Sequence, residues 1–128
     1  MESGKILADT SIIIEHLRML DKVNSTFSIH LKSFKIYLSS VTIFELYCGA
    51  TEKRKKNDIE TLCRFTDILN IDKTTSEIAG SIYIELKNKG FTIGTEDLLI
   101  ASSALQYDLP VLTLNRKHFK IVKNIKLI

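Results

Sequence analysis

Three carboxylates and one amide of this sequence stand next to predicted strand ends. Asp9 and Asn115 follow predicted strands, Glu45 lies one turn into the helix after the second strand, and Asp97 lies in the first turn of a helix that leads into the fourth strand. Oxygen ligands without neighbouring His or Cys suit a hard cation such as Mg²⁺ or Mn²⁺. Such an ion activates water and stabilises charge on phosphate oxygens, so the pattern predicts metal-dependent phosphodiester hydrolysis.

Each of these residues also has an ordinary structural interpretation. Asp9 is a favoured helix cap, and Asn115 is a common turn residue. Glu45 suits an exposed position near a helix N-terminus, whereas Asp97 and Glu96 would compensate a helix dipole. Their shared location favours a site, because carboxylates in close company resist joint ionisation and a cation would hold them together.

The elements that must position these residues alternate between strands and helices. Short apolar runs predict strands over residues 5–8, 35–39, 68–71 and 111–113, and a fifth over 119–122 or 125–127. Apolar spacing predicts helices over residues 12–20, 27–31, 43–49, 52–69, 74–89 and 96–107. The predicted helix caps are Thr10 or Ser11, Ser40 or Thr42, and Thr95.

This alternation predicts an α/β fold: a mostly parallel central sheet of four to five strands flanked by helices on both faces. Ligands of such sheets bind outside the carboxyl ends of the strands. The helix over 96–107 feeds the fourth strand, so it begins at that edge and carries Asp97 there. The same topology brings Asp9 and Asn115 to this edge.

Length and composition narrow the class of protein. The 128 residues predict one domain over 1–128, and 45% apolar residues exclude disorder as the main state. A net charge of +3 is too small for a histone-like binder. Cys48 and Cys63 lack metal-ligand spacing and are expected to be buried thiols. No signal peptide or membrane span is evident, so we expect a soluble cytoplasmic protein.

Four blocks of the sequence are similar to the PIN-domain family, in particular to the VapC-type ribonuclease toxins of toxin–antitoxin systems. The blocks are LADTS at 7–11, SVTIFEL at 40–46, the segment 94–101 with its D-x-x-I-A pattern, and LTLNRKHF at 112–119. They follow one another in the family's order and spacing over nearly the whole chain. The resemblance therefore implies a PIN-like fold and endoribonuclease activity with Mg²⁺ or Mn²⁺.

The resemblance also implies roles for individual residues. Asp9, Glu45 and Asp97 correspond to the family's acidic active-site residues, with Asp9 and Asp97 as direct metal ligands. The fourth position, often Asp in the family, is Asn115 here, and an amide binds metal more weakly, which leaves open whether one or two ions bind. Glu96 is an auxiliary oxygen donor. Thr10 is an auxiliary hydroxyl that would contact a metal-bound water or a substrate phosphate.

The partners implied by the resemblance are an RNA substrate, a cognate antitoxin protein and a second copy of the chain in a homodimer, with no membrane. Phosphate contacts need Lys or Arg but little specificity. The candidates for such contacts are Lys53, Arg54, Arg116 and Lys117. The favoured interpretation of the basic run 53–56 is that it forms the solvent-exposed first turn of a helix.

Two other functions fit the same residues. A non-catalytic PIN-like module that binds RNA or protein is suggested by the amide at Asn115. A receiver-type phosphoacceptor domain also clusters acids at the carboxyl edge, but the expected order of a strand-end Asp and a distal Lys is missing.

Overall fold

A computed structural model describes residues 4–128; residues 1–3, which begin the predicted domain, lie outside the described residues. The strands are β1 (Gly4–Ala8), β2 (Phe34–Ser39), β3 (Asp67–Leu69) and β4 (Val111–Leu112). The helices are α1 (Thr10–Arg18), α2 (Thr26–Leu31), α3 (Ser40–Cys48), α4 (Lys53–Arg64), α5 (Lys73–Asn88), α6 (Thr95–Gln106) and α7 (Arg116–Lys120). A short 3₁₀ turn at Lys22–Asn24 precedes α2.

The four described strands form one parallel sheet in the order β3-β2-β1-β4. Ile6 pairs with Ile36 on one side of β1, and Leu7 pairs with Val111 on the other. Because every strand runs the same way, all carboxyl ends meet at one edge. Asp9, which follows β1, and Thr113, which follows β4, therefore lie side by side there.

Alternating residues of β1 bury two separate cores. Ile6 and Ala8 pack with apolar residues of α1, α2, α3 and α4 on one face. Leu7 packs with residues of α5, α6 and α7, among them Ile100 and Phe119, on the other. Residues 6–8 of this strand are all apolar and buried because both faces are covered, as is usual for parallel sheets. The predicted α/β architecture with helices on both faces is confirmed.

The helix caps differ from the predicted ones. α1 is capped by Asp9, whose extended backbone lets its carboxylate accept from the N–H of Ile12, so the cap lies one residue before Thr10. α3 is capped by Ser39, the last residue of β2. The N-cap of α6 is Gly94, which has no side chain to form a capping hydrogen bond, and Thr95 is the first residue of the helix. The chain enters these helices directly from an extended segment, which moves each cap upstream.

Two predicted elements are wrong in extent. α4 ends at Arg64, whereas the sequence predicted a helix over 52–69; Phe65 is exposed, and the chain turns into β3 to pair with β2. Residues 119–122 do not form a strand, because α7 and a turn cover them. In the alternative range 125–127, Leu127 forms an isolated parallel bridge to Val111 but no strand.

Two smaller expectations can also be compared with the structure. Both cysteines are free thiols, but Cys48 is exposed and Cys63 is half-buried, so the prediction that both are buried is wrong. Within residues 4–128, no helix combines the length and apolarity that a membrane crossing requires.

Candidate active site at the carboxyl edge of the sheet

Asp9 is the buried member of the acidic group, with only 2% of its surface exposed. One carboxylate oxygen accepts a hydrogen bond from Ser11, and the other accepts from Thr113 Oγ1 at 2.6 Å. Burial raises the pKa of Asp9, the hydrogen bonds from Ser11 and Thr113 oppose that rise, and the charge of Asp97 adds to it. The carboxylate is thus held by hydroxyl groups with no cationic side chain in hydrogen-bond contact among residues 4–128.

Glu45 reaches the same edge from the second turn of α3. Thr10 Oγ1 donates to Glu45 Oε1 at 2.9 Å, and Thr42 lies 2.9 Å from the same hydroxyl. Since a hydroxyl has one hydrogen, Thr42 is the donor to Thr10. Burial raises the pKa of Glu45, and the nearby charges of Glu96, Asp97 and Asp9 raise it further, whereas the bond from Thr10 lowers it. Thr10 thus orients Glu45, and its contact with a metal-bound water or a phosphate stays a prediction.

Asp97 and Glu96 lie in the first turn of α6, whose remaining residues from Leu98 onward are buried or half-buried. The carboxylate of Asp97 retains 25% of its exposure, and Glu96 is exposed. Asp97 Oδ2 lies 3.1 Å from Nδ1 of His118 in α7. The buried body of α6 thus holds Asp97 at the sheet edge while its carboxylate stays open to solvent.

Electrostatic coupling shows that the predicted carboxylates share one region. The charge of Asp97 acts on both Asp9 and Glu45, and that of Glu96 acts on Glu45. Every one of these interactions is repulsive, since all four groups are acids. Repulsion of this kind, together with burial, disfavours the ionised forms and creates a local need for positive charge.

Asn115 lies at the same edge, but its side chain is exposed and makes no hydrogen bond among the described residues. Its backbone N–H donates to Thr113 Oγ1 at 2.8 Å, and Thr113 in turn donates to Asp9. The N–H of Leu114 donates to Ser11, which also donates to Asp9. Asn115 therefore supports Asp9 through the backbone.

Sequence reasoning missed two residues of this arrangement, Thr113 and His118. Thr113 lies between the β4 strand and Asn115, so its position at the strand end was the available signal. His118 lies in the LTLNRKHF block, but it is not among the predicted site residues. Its contact with Asp97 joins residues 21 apart in sequence and depends on how α7 packs, so no local pattern indicates it.

The predicted basic contacts lie in different places. Arg54 and Glu45 line one groove of about 390 Å³, and Lys117 and Asp97 line another depression of about 460 Å³. Lys53 is the exposed first residue of α4. Arg116 donates to the main-chain oxygen of Ile128. Arg54 and Lys117 are thus the two that share a cavity with a site carboxylate.

The donor chemistry of this edge fits a hard cation, since carboxylate and hydroxyl oxygens dominate it. Each ionised carboxylate has about four lone-pair positions, so the hydrogen bonds to Asp9 leave capacity for a cation. Within residues 4–128, however, no three His, Cys, Asp or Glu side chains converge as joint metal ligands. An ion here would therefore have at most two carboxylate ligands and would complete its shell with other oxygens, water or phosphate, a common arrangement for Mg²⁺.

Comparisons with known proteins agree on one family. The family model of the PIN domain matches residues 6–124. Ribonuclease VapC3 of Methanocaldococcus jannaschii is 37% identical over 94 residues, which are 73% of this chain and 92% of the relative. The tRNA(fMet)-specific endonuclease VapC of Shigella flexneri is 30% identical over 127 residues, covering 95% of each chain.

The fold is also found in solved structures. A chain of VapBC2 from Rickettsia felis, crystallised with a DNA fragment from its promoter, superposes with a TM-score of 0.83 and 25% sequence identity. That likeness covers 97% of both chains.

Proposed function

Because the chain belongs to the PIN domain family, we propose that it is an endoribonuclease that hydrolyses RNA phosphodiester bonds at Asp9, Glu45 and Asp97. The observation that carries the proposal is that hydroxyl groups of Thr10, Ser11 and Thr113 orient the carboxylates of Glu45 and Asp9 at one sheet edge. Burial, with the charge of Asp97 adding to it, raises the pKa of both groups. The names of the relatives, ribonuclease and endonuclease, support the same activity.

The proposed cofactor is Mg²⁺ or Mn²⁺, held by Asp9 and Asp97. When bound, the ion supplies positive charge to the phosphate oxygens and increases the acidity of water. Ser11 and Thr113 keep the Asp9 carboxylate in a fixed orientation through their hydroxyl groups. This orientation matters because a misplaced ligand shifts the reacting phosphate away from the attacking water.

Glu45 is the proposed general base. Its Oε1 is occupied by the hydrogen bond from Thr10, and no described residue donates to Oε2. In the proposed mechanism Oε2 takes the proton of the attacking water. The raised pKa of Glu45 improves this role, because a base is most effective when its pKa approaches the working pH.

The proposed RNA contacts are led by Arg54 and Lys117, each of which lines a cavity together with a site carboxylate. Lys53 and Arg116 are further candidates at the same two helix starts. These cations would neutralise phosphates next to the cleaved bond and position the backbone without reading its sequence. They also lower the repulsion between the RNA and the acidic centre.

The decisive experiment is cleavage of a short labelled RNA by purified protein with Mg²⁺ or Mn²⁺, with and without EDTA. We expect metal-dependent cleavage that Asp97→Asn abolishes, since the change removes a charge at constant side-chain volume. Asn115→Ala should reduce cleavage less, because a neutral amide contributes less to binding a cation.

The matched control is Glu77→Gln, which removes an exposed carboxylate of α5 that pairs only with Lys73 among the described ion pairs. It should cleave like the wild type. RNA binding without cleavage under any metal condition would contradict the proposal and favour the non-catalytic PIN-like module.

We further propose that the chain is the toxin of a toxin–antitoxin pair and forms a homodimer. The support for an antitoxin partner is that the structural neighbours include VapBC complexes from Rickettsia felis and Salmonella typhimurium. The homodimer is proposed from the family resemblance alone. Expression of the chain alone should arrest growth, and co-expression of the product of a small adjacent reading frame should relieve the arrest. Sedimentation of the purified protein tests the dimer.

A further inference from the structure

The segment that follows β4 contacts both of the proposed metal ligands. Thr113 donates to Asp9 Oδ2, and His118 lies within hydrogen-bond distance of Asp97 Oδ2. The neighbouring Phe119 is fully buried in the core, which fixes α7 against α6. The core therefore holds the backbone of His118 beside Asp97, while 59% of the His118 side chain remains exposed.

The chemistry of the contact determines which atom carries the proton. An ionised carboxylate only accepts hydrogen bonds, so Nδ1 of His118 must be the donor to Asp97. This holds for the neutral ring in its Nδ1–H tautomer and for the charged ring. Among residues 4–128, His118 is the one hydrogen-bond donor to Asp97, and it leaves Oδ1 of that carboxylate without a partner.

We infer that His118 is a positioning residue that orients the Asp97 carboxylate for cation binding. Its hydrogen bond removes rotational freedom from a carboxylate that is otherwise partly open to solvent, and it presents Oδ1 as the free ligand oxygen. Hydrogen bonds to ligating carboxylates commonly set metal affinity in this way. The metal-related part of this inference rests on the proposed function; the hydrogen bond can be measured without metal or RNA.

The first test compares the Mn²⁺ dissociation constants of four proteins by titration calorimetry. His118→Ala removes the donor, and we expect affinity to fall about 10–100-fold. His118→Asn places a neutral amide donor near the position of Nδ1 and should restore most of the affinity. Lys120→Ala, an exposed change in the same helix, is the matched control and should bind like the wild type.

Cleavage kinetics then separate positioning from RNA binding. In His118→Ala, kcat at limiting Mn²⁺ should fall with the loss of metal affinity, whereas KM for RNA should change little. A KM increase at constant kcat would identify His118 as a phosphate contact instead. Equal defects in His118→Asn and His118→Ala would also overturn the inference, because the neutral donor would then have no effect.

The second test reads the tautomer of His118 by long-range ¹H–¹⁵N NMR in the metal-free protein at alkaline pH. The wild type should show the Nδ1–H tautomer, and Asp97→Ala should shift the ring toward Nε2–H. An Nε2–H ring in the wild type would overturn the inference.

The outcomes also distinguish the two proposals. If the wild type neither binds Mn²⁺ nor cleaves RNA, the proposed function fails and the inference fails with it. If the wild type does both and His118→Ala is unaffected, the inference alone fails.

Discussion

Two aspartates cap helices beyond the carboxyl ends of strands, but they differ in burial and in the direction of their pKa shifts. Asp9 caps α1 after β1, and Asp72 caps α5 after β3. Each accepts a hydrogen bond from a backbone N–H of its own helix, from Ile12 and Thr75 respectively. The pKa of Asp72 is lowered by the backbone and hydroxyl of Thr75, whereas burial raises the pKa of Asp9.

The difference lies in the neighbours of each carboxylate. Asp72 is exposed and also receives a hydrogen bond from the amide of Gln106. Asp9 is buried in the region that holds Asp97 and Glu45, whose negative charges repel its own. Capping alone stabilises an ionised aspartate. A capping aspartate that burial and like charges destabilise is a candidate for cation binding.

The largest expected difference between the two aspartates concerns activity. Asp9→Asn should lower metal-dependent RNA cleavage at least about 100-fold, the scale observed when one preorganised electrostatic group is removed. Asp72→Asn should cleave like the wild type, because the Asp72 carboxylate bonds only Thr75 and Gln106 among the described residues and none of the site residues. Single-turnover cleavage with excess Mg²⁺ measures both. Equal losses of cleavage in the two variants would contradict the assignment of Asp9 to the active site and of Asp72 to a purely structural role.

The next effect concerns metal and stability. Excess Mn²⁺ should stabilise the wild type by about 2.7 kcal/mol at a hundredfold excess over the dissociation constant. The melting temperature should then rise by roughly 2–8 °C per kcal/mol. Asp97→Asn should melt higher than the wild type in EDTA, since repulsion is relieved, and should show a smaller Mn²⁺ shift.

The control for this experiment is Asp72→Asn. It should melt lower than the wild type in EDTA, because Asn keeps the capping oxygen but loses the negative charge that the hydrogen bonds from Thr75 stabilise, yet it should keep the full Mn²⁺ shift. If Mn²⁺ stabilises wild type and Asp97→Asn equally, the ion binds elsewhere.

The smallest effect is the pH dependence of stability without metal. The pKa of Asp9 is raised above 3.8 and that of Glu45 above 4.5. As pH falls through these raised values, the folded state binds protons before the unfolded state does, so their contribution to the free energy of unfolding increases. The stability of the wild type relative to Asp9→Asn should therefore rise on acidification toward pH 4.

Asp72 should show the opposite sign. Its pKa is lowered below 3.8, so its contribution is complete above that value and is lost as pH falls through the folded pKa. The stability advantage of wild type over Asp72→Asn should be constant near neutrality and shrink below pH 3.8. Urea unfolding in EDTA across a pH series measures both variants, and parallel pH profiles would contradict the assignment.

Much of the sheet could be predicted from local patterns. The apolar runs that became β1, β2 and β4 are continuous because parallel strands are buried on both faces. The helical spacing of Ile78, Ile82 and Leu86 correctly predicted α5 to within one residue at each end. The strand predicted over 68–71 corresponds to β3, but it overlaps the helix predicted over 52–69, so local patterns left the end of α4 undetermined. The pairing of β3 with β2 overrides the helical preference of residues 65–69.

For the candidate site, the sequence by itself determined which residue types stand at the strand ends. Asp9 directly follows β1, Asn115 follows β4, and Asp97 lies in the first turn of the helix that leads into β4. Chain topology places all three positions at one edge. Their identity as cation ligands remains a prediction. Only the tertiary structure decided the burial of Asp9, the repulsion among the acids, and the contacts of Thr113 with Asp9 and of His118 with Asp97. These properties depend on side-chain distances between segments as far as 104 residues apart, which local periodicity does not encode.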